Sequence, residues 1–335
     1  MKILLINPPK EEEITFAVLT DYNTKARNNN PPLGLMYLYS YLLPYHEVYV
    51  VDMSAEELKI GDINSIIDNY KPDIIGISCV ISKWPTIIKL SAEIKKYNNN
   101  IKIVVGGVNP SIYTFETLQC KDIDYVIRGF GQVPLLALCN KLEQDIDIKI
   151  ENVFTRENYT ENIKGTFVFE DLDKYPLPDR SILPVNNYNM PFAKENPTTS
   201  LLGSLGCPFS CHFCQCQTFK PLSIRKPETI INELIEIEKL GIRSVIFQDE
   251  LFTLSDKRIN EVCSLMIKNK IKLNWAVRAR ANPINEESLA IMKEAGCFNF
   301  HLGIESGNDR ILLKMKKRIT KDEVRESVRR IKNQG

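Results

Sequence analysis

The sequence predicts an α/β protein in two parts: a Rossmann-like N-terminal domain, then a partial TIM-like barrel of about four βα units. Up to about residue 143, short β-branched runs alternate with longer amphipathic stretches, the pattern of a parallel sheet with crossover helices. The alternation breaks in a charged, Asn-rich stretch punctuated by prolines and resumes near Ser200. The length of 335 residues also exceeds the ~250–300 at which a single hydrophobic core stops growing.

In chain order, the first series reads as strands over 2–7, 47–51, 74–80, 101–105 and 124–128, with helices over 33–43, 62–70, 85–97 and 133–143. The continuous apolar run Ile74-Ile75-Gly76-Ile77 suits a strand covered on both faces. This domain spans 1–143, and ligands in such sheets sit at the carboxyl ends of the strands. Residues 144–197 read as a connector, with a hairpin formed by 152–156 and 166–170 followed by Pro176, Pro178, Pro184, Pro191 and Pro197. The second domain, 198–335, carries strands over 201–206, 244–249, 273–280 and 298–304 and helices over 227–240, 256–270, 286–295 and 321–333. Four βα units do not close a barrel, so this domain is expected to be C-terminally incomplete; its active face is the carboxyl end of the strands.

Composition narrows the function. The 43 Lys+Arg balance 42 Asp+Glu, so there is no basic face for nucleic acid. No apolar run reaches the roughly 18 residues of a membrane span, and the apolar start at Ile3 is too short for a signal peptide. A cytoplasmic protein without nucleic-acid or membrane partners is expected. Nine cysteines in a chain of this length point to cysteine chemistry rather than a disulfide framework.

Three of them crowd into Gly206-Cys207-Pro208-Phe209-Ser210-Cys211-His212-Phe213-Cys214, immediately after the first strand of the second series. Three thiolates spaced C-x3-C-x2-C can bind three irons of a cubane cluster and leave the fourth open, as a reactive metal site requires. Zinc is the competing reading, because Cys216 offers a fourth soft ligand, although the paired C-x2-C knuckles usual for structural zinc are missing.

The spacing, with Phe213 just before the last cysteine, resembles the signature of the radical S-adenosylmethionine (SAM) superfamily. The resemblance implies that Cys207, Cys211 and Cys214 hold a 4Fe-4S cluster whose open iron chelates SAM, which one electron cleaves to a hydrogen-abstracting 5′-deoxyadenosyl radical. It also implies SAM contacts from Phe213, from Asp249 and Glu250 after the second strand, and from Arg278 or Arg280 on one face of the third, where the family pattern favours Arg280-Ala281-Asn282. Within the segment Gly303-Ile304-Glu305-Ser306-Gly307, it implies contacts from Glu305 and Ser306. The family-like Leu313-Lys314-Met315-Lys316-Lys317 reads as a plain helix with solvated charges. His212 and His301 read as satisfied structural histidines, and Trp84 and Trp275 as core or rim.

A Rossmann-like domain ahead of such a barrel resembles the cobalamin (vitamin B12)-binding subgroup. Similar segments are Pro31-Pro32-Leu33-Gly34-Leu35, Pro72 to Ser78, Val105-Gly106-Gly107 and Ile127-Arg128-Gly129-Phe130-Gly131. Ser78, Gly106 and Gly107 are the implied cobalamin contacts, the glycines admitting close backbone approach. The cobalt-ligating Asp-x-His-x-x-Gly motif is absent: Asn7-Pro8-Pro9-Lys10 follows the first strand, and His46 lies elsewhere. Gly129-Phe130-Gly131-Gln132 also replaces the subgroup's Gly-Glu-Gly-Glu. A nicotinamide site is disfavoured because the glycine pattern lacks its third Gly and falls on the fifth strand; an empty domain stays open. The implied function is a cobalamin-dependent radical SAM methyltransferase acting on a small-molecule or peptide substrate, with a flavodoxin- or ferredoxin-like electron donor. The alternatives are a cobalamin-independent cyclase, epimerase or methylthiotransferase, and a truncated cofactor binder without turnover.

Overall fold

A computed structural model describes residues 1–11, 30–160, 171–190, 192–214, 216 and 222–334. The expected hairpin partner 166–170 lies outside the described residues. The chain divides into two units, Met1–Lys164 with Pro176–Asn187 and Gly165–Tyr175 with Tyr188–Gly335.

In the first unit, strands β1 (Lys2–Asn7), β2 (Glu47–Asp52), β3 (Ile74–Ser78), β4 (Lys102–Gly106), β5 (Tyr125–Ile127) and β6 (Val153–Phe154) form one sheet in the order β2-β1-β3-β4-β5-β6. All pairs are parallel except β5 with β6. The short strand within 152–156 pairs with β5, Val126 lying opposite Phe154. The helices are α1 (Leu33–Leu42), α2 (Ile63–Tyr70), α3 (Trp84–Tyr97), the short α4 (Val108–Ile112) and α5 (Thr114–Leu118), and α6 (Gln132–Gln144).

The strand period divides β1 between two cores. Leu4 and Ile6 pack with Ile63 and Ile67 of α2 and Ile87, Leu90 and Ile94 of α3. Ile3 and Leu5 pack with Leu35 and Leu42 of α1 and Leu135 and Leu138 of α6. All four β1 side chains are fully buried, each contributing about 1.5–3 kcal/mol of apolar burial. Gly76 is small because a Cβ there would lie 2.9 Å from Leu5 Cδ2. The strand order reverses between β1 and β3, so the C-terminal edge there is the topological switch point of the sheet.

In the second unit β7 (Thr198–Leu201), β10 (Ser244–Phe247), β11 (Asn274–Arg280) and β12 (Cys297–Gly303) form a parallel sheet in the order β12-β11-β10-β7. Helices α7 (Pro227–Lys239), α8 (Asp256–Lys268) and α9 (Glu286–Glu294) make the crossovers, and α10 (Asp309–Lys314) and α11 (Lys321–Asn333) follow β12. A two-stranded antiparallel ribbon, β8 (Ser204–Leu205) with β9 (Ser223–Ile224), brackets the cysteine loop. The single strand expected over 201–206 is therefore split. Asp249 takes the backbone N–H of Gly203 at 2.7 Å and the hydroxyl of Ser204 at 2.6 Å, pulling the chain out of the sheet. The core is anchored by Phe247, Phe252 and Trp275, with ring centroids 4.7–5.5 Å apart and the indole N–H donating to the Ala295 carbonyl at 2.7 Å.

Candidate active site

Every βα unit of the second sheet delivers chemistry to its C-terminal edge. After β8 the chain passes Gly206, whose φ of +89° is one that glycine adopts freely, into the loop of Cys207, Cys211 and Cys214. The Gly206 N–H is held by Glu250 Oε2 at 3.1 Å, and Cys214 N–H turns back to the Cys211 carbonyl at 3.1 Å. Cys211 is buried, and Cys207, Cys214 and Cys216 are half-buried. His212 pins the loop to the end of α10: its backbone N–H meets the Met315 carbonyl at 3.0 Å, and Nδ1 lies 3.0 Å from the Lys314 carbonyl. It is a satisfied structural histidine. Burial pushes the Cys207 thiol up, and the Cys214 and Cys211 thiols add to this against Arg280. Burial, its bond with Cys214 and the Glu250 carboxylate push Cys216 up as well.

The implied SAM residues separate into two groups. Glu250 is half-buried beside the loop; burial pushes its carboxyl up, against the Gly206 N–H and the Arg278 charge. Arg278 is exposed on β11, opposite His301 of β12. His301 packs edge-on to Phe192 at 4.7 Å. Phe213 is half exposed, with Lys317 Nζ 5.7 Å from its ring. Glu305, at φ +68°, pairs with Lys317 Nζ at 3.0 Å. Ser306 accepts the Asn308 N–H at 3.1 Å. A Cβ at Gly303 would lie 2.9 Å from Glu305 Oε1 and 3.0 Å from Lys317 Nζ, which explains the glycine two residues before the glutamate.

Asp249 and Arg280 are placed differently from expectation. Asp249 is completely enclosed, its oxygens spent on Gly203, Ser204 and Arg258, so it braces the loop instead of facing a ligand. Burial is the cause that pushes its carboxyl up. Arg280 is buried too: Nη1 donates to Cys211 Sγ at 3.6 Å, Nε to Asn282 Oδ1 at 3.0 Å and Nη2 to the Lys317 carbonyl, while its face lies 3.8 Å above the Phe209 ring. Lys317 is also a correction. It was expected on a solvated helix, but α10 ends at Lys314 and the chain turns through left-handed Lys316 and Arg318, which bury Lys317. Its charge was legible in the sequence; its inward turn was not.

In the first unit, Ser78 ends β3 opposite Gly106 of β4, and both are half-buried. Gly107 has φ +116°, and a Cβ there would lie 2.6 Å from the Cys79 carbonyl oxygen. A Cβ at Gly106 would lie 3.9 Å from the Ile127 carbonyl oxygen, an ordinary contact. Val80, Ile81, Val108, Tyr113 and Phe115 are exposed around this edge, an apolar rim suited to a broad flat ligand. At the end of β1, Asn7 donates to Asp52 Oδ1 at 2.7 Å and accepts from buried Lys83 at 3.2 Å. No histidine stands there: His46 packs near the Met1 amine, at the opposite edge of the sheet.

The fold and these two edges define a two-domain cofactor protein: a Rossmann-like unit with a glycine-lined, apolar-rimmed edge, and a βα unit displaying three thiols. Residues 201–335 match the radical SAM superfamily model and residues 19–139 the B12 binding domain model. An uncharacterized methyltransferase of Pyrococcus horikoshii is 33% identical over 100% of this chain and 72% of its own length. The anaerobic magnesium-protoporphyrin IX monomethyl ester cyclase of Rubrivivax gelatinosus is 27% identical over 92% of this chain and 57% of its own. The structure of the cobalamin-dependent S-adenosylmethionine radical enzyme OxsB with aqua-cobalamin and S-adenosylmethionine bound superposes with a TM-score of 0.78 at 19% identity, covering 98% of this chain and 47% of that one. The chain belongs to the radical SAM superfamily, in the subgroup that carries an N-terminal cobalamin-binding domain. It spans about half to three quarters of the length of these relatives.

The residues fit the groups that the family implies. Cys207, Cys211 and Cys214 present soft ligands from one anchored loop with a guanidinium on one sulfur, as a thiolate-ligated cluster requires. The edge formed by Ser78, Gly106 and Gly107 fits cobalamin without a histidine ligand from β1. No described helix is long and apolar enough to cross a membrane.

Proposed function

We propose that this chain is the cofactor-binding part of a cobalamin-dependent radical SAM methyltransferase. The observation that carries the reading is the anchored Cys207, Cys211 and Cys214 loop at the C-terminal edge of a parallel βα sheet, in a chain whose other domain is of the cobalamin-binding kind. When bound, the cluster supplies the electron that cleaves SAM to methionine and a 5′-deoxyadenosyl radical, and cobalamin carries the methyl group to be transferred. The chain's own part is to bind, orient and exclude water. Glu250 and Arg278 offer opposite charges to the amino and carboxylate groups of SAM. Glu305, held by Lys317, and Ser306 offer hydrogen bonds to its ribose, and Phe213 adds apolar surface. Ser78, Gly106 and Gly107 admit the cobalamin. The substrate is a small molecule or peptide, and the electron comes from a flavodoxin- or ferredoxin-like donor.

The similarity to a monomethyl ester cyclase motivates a second reading, a radical SAM cyclase. Anaerobic protein reconstituted with iron and sulfide should give a reduced-cluster EPR signal that changes on adding SAM and is lost in Cys211→Ala. Methyl transfer through cobalamin releases S-adenosylhomocysteine alongside 5′-deoxyadenosine, whereas a cyclase releases only the latter. Zinc without a cluster signal would refute both readings.

A further inference from the structure

We infer that Arg280 is a positioning residue for the cluster, whose guanidinium fixes Cys211 and favours the one-electron-reduced state, and that it is not a SAM ligand. This deepens the function proposed above and rests on it. Arg278 and Arg280 point the same way from β11, yet Arg278 is exposed and Arg280 is buried. Each nitrogen of the Arg280 guanidinium has a partner: Asn282 holds Nε, Cys211 Sγ accepts from Nη1, the Lys317 carbonyl accepts from Nη2, and Phe209 covers one face. Two of these four partners, Phe209 and Cys211, belong to the cysteine loop itself, so the arginine closes the loop from beneath. Lys317 extends the connection, because its carbonyl holds Arg280 while its ammonium holds Glu305.

The electrostatic consequence follows from where the electron goes. Reduction adds one electron, from an external donor, to a cluster already surrounded by thiolates; no bond breaks, and the negative charge increases. A fixed cation donating an N–H to a ligating sulfur stabilises that added charge, and burial limits its screening by water. Hydrogen bonds to the sulfurs and local net charge are the levers by which a protein sets such potentials. Glu250 acts in the opposite sense, but it meets the loop at Gly206.

The test is an EPR-monitored titration of the reconstituted chain with dithionite and mediators, without SAM or substrate. Arg280→Gln is expected to retain its iron and sulfide while its reduction equilibrium constant falls at least tenfold, about 59 mV for a one-electron couple. Arg280→Lys, which keeps the charge but loses the fork, should fall less, by about threefold. A loaded Arg280→Gln protein at the wild-type potential overturns the inference. If Arg280→Gln does not fold, Asn282→Ala decides: freeing Nε should lower the constant by about twofold, and a wild-type potential there overturns the inference. A wild-type cluster that does not respond to SAM refutes the radical SAM reading alone, because the Arg280 effect is read without SAM. A wild-type chain that takes up no cluster refutes both.

Discussion

Removing the carboxylate of Glu233 should unfold the second unit more than any surface substitution. Arg225 and Glu233 form an ion pair with side chains only 2% and 1% exposed. Arg225 Nη1 also donates to the Leu202 carbonyl at 2.9 Å, while Arg258 bonds the carbonyls of Arg225 and Gly203 at 3.1 and 2.8 Å. This network clamps residues 202–203, which lead into the cysteine loop. Truncating one partner of a buried pair leaves the other charge uncompensated and costs about 3–5 kcal/mol. Asp173 lies 3.6 Å from Arg225 Nε, so the cost of Glu233→Ala should fall at the lower end, about 3 kcal/mol. For a unit of this size that is roughly 6–12 °C in Tm. The chain has two tryptophans, Trp84 in the first unit and Trp275 in the second. In a Trp84→Phe background, the fluorescence of buried Trp275 therefore reports the second unit alone during urea unfolding. The paired change Arg225→Met with Glu233→Leu should recover most of the loss, because well-packed apolar residues often replace a buried pair at little cost. A loss below about 1 kcal/mol in Glu233→Ala, the range of an exposed pair, would refute the argument.

Gly107→Ala should cost about 1–3 kcal/mol through backbone strain and weaken cobalamin retention, because the new Cβ would lie 2.6 Å from the Cys79 carbonyl oxygen; absorbance of the purified protein and urea unfolding read the two effects. Burial pushes the thiols of Cys79, Cys139 and Cys263 up to about 12, so brief iodoacetamide treatment at pH 8 should leave them unlabelled while half-buried Cys214 reacts, and cluster assembly should protect it, as peptide mass spectrometry can show. Burial and the nearby Arg278 charge lower the pKa of His301 from 6.5. The unfolded chain therefore takes up a proton below about pH 6.5 that the folded chain refuses, and stability falls as pH drops through that value. Urea midpoints at pH 7.5 and 5.5 should differ more in the wild type than in His301→Gln.

The strands and long helices were legible because their periods are unambiguous: β1 begins and ends as expected, and α11 coincides with its predicted range. The misses share physical causes. Helices α4 and α5 have five residues each, with Pro110 inside the first, too short for a helical period to register. The pairing of β6 with β5 is set by tertiary packing, which local sequence does not encode. Neighbouring acids after β10 looked equivalent, yet the chain buries Asp249 under Gly203 and leaves Glu250 beside the cysteine loop.

The same limit separates Arg278 from Arg280. Strand period puts both on one face, and nothing local distinguishes them; what does is the segment returning after β12. That return depends on left-handed backbone at Glu305, Lys316 and Arg318, none of them the glycine that would have announced it. Such conformations cost of order 1–3 kcal/mol each and persist where surrounding contacts impose them. Here the contacts are those of Lys317 with Glu305 and Arg280, and of His212 with the carbonyls at 314 and 315. The sequence therefore displays the cysteine ligands openly, because their spacing is local, and conceals the groups that position them, because those are assembled from strands β10 and β11 and the turn after α10.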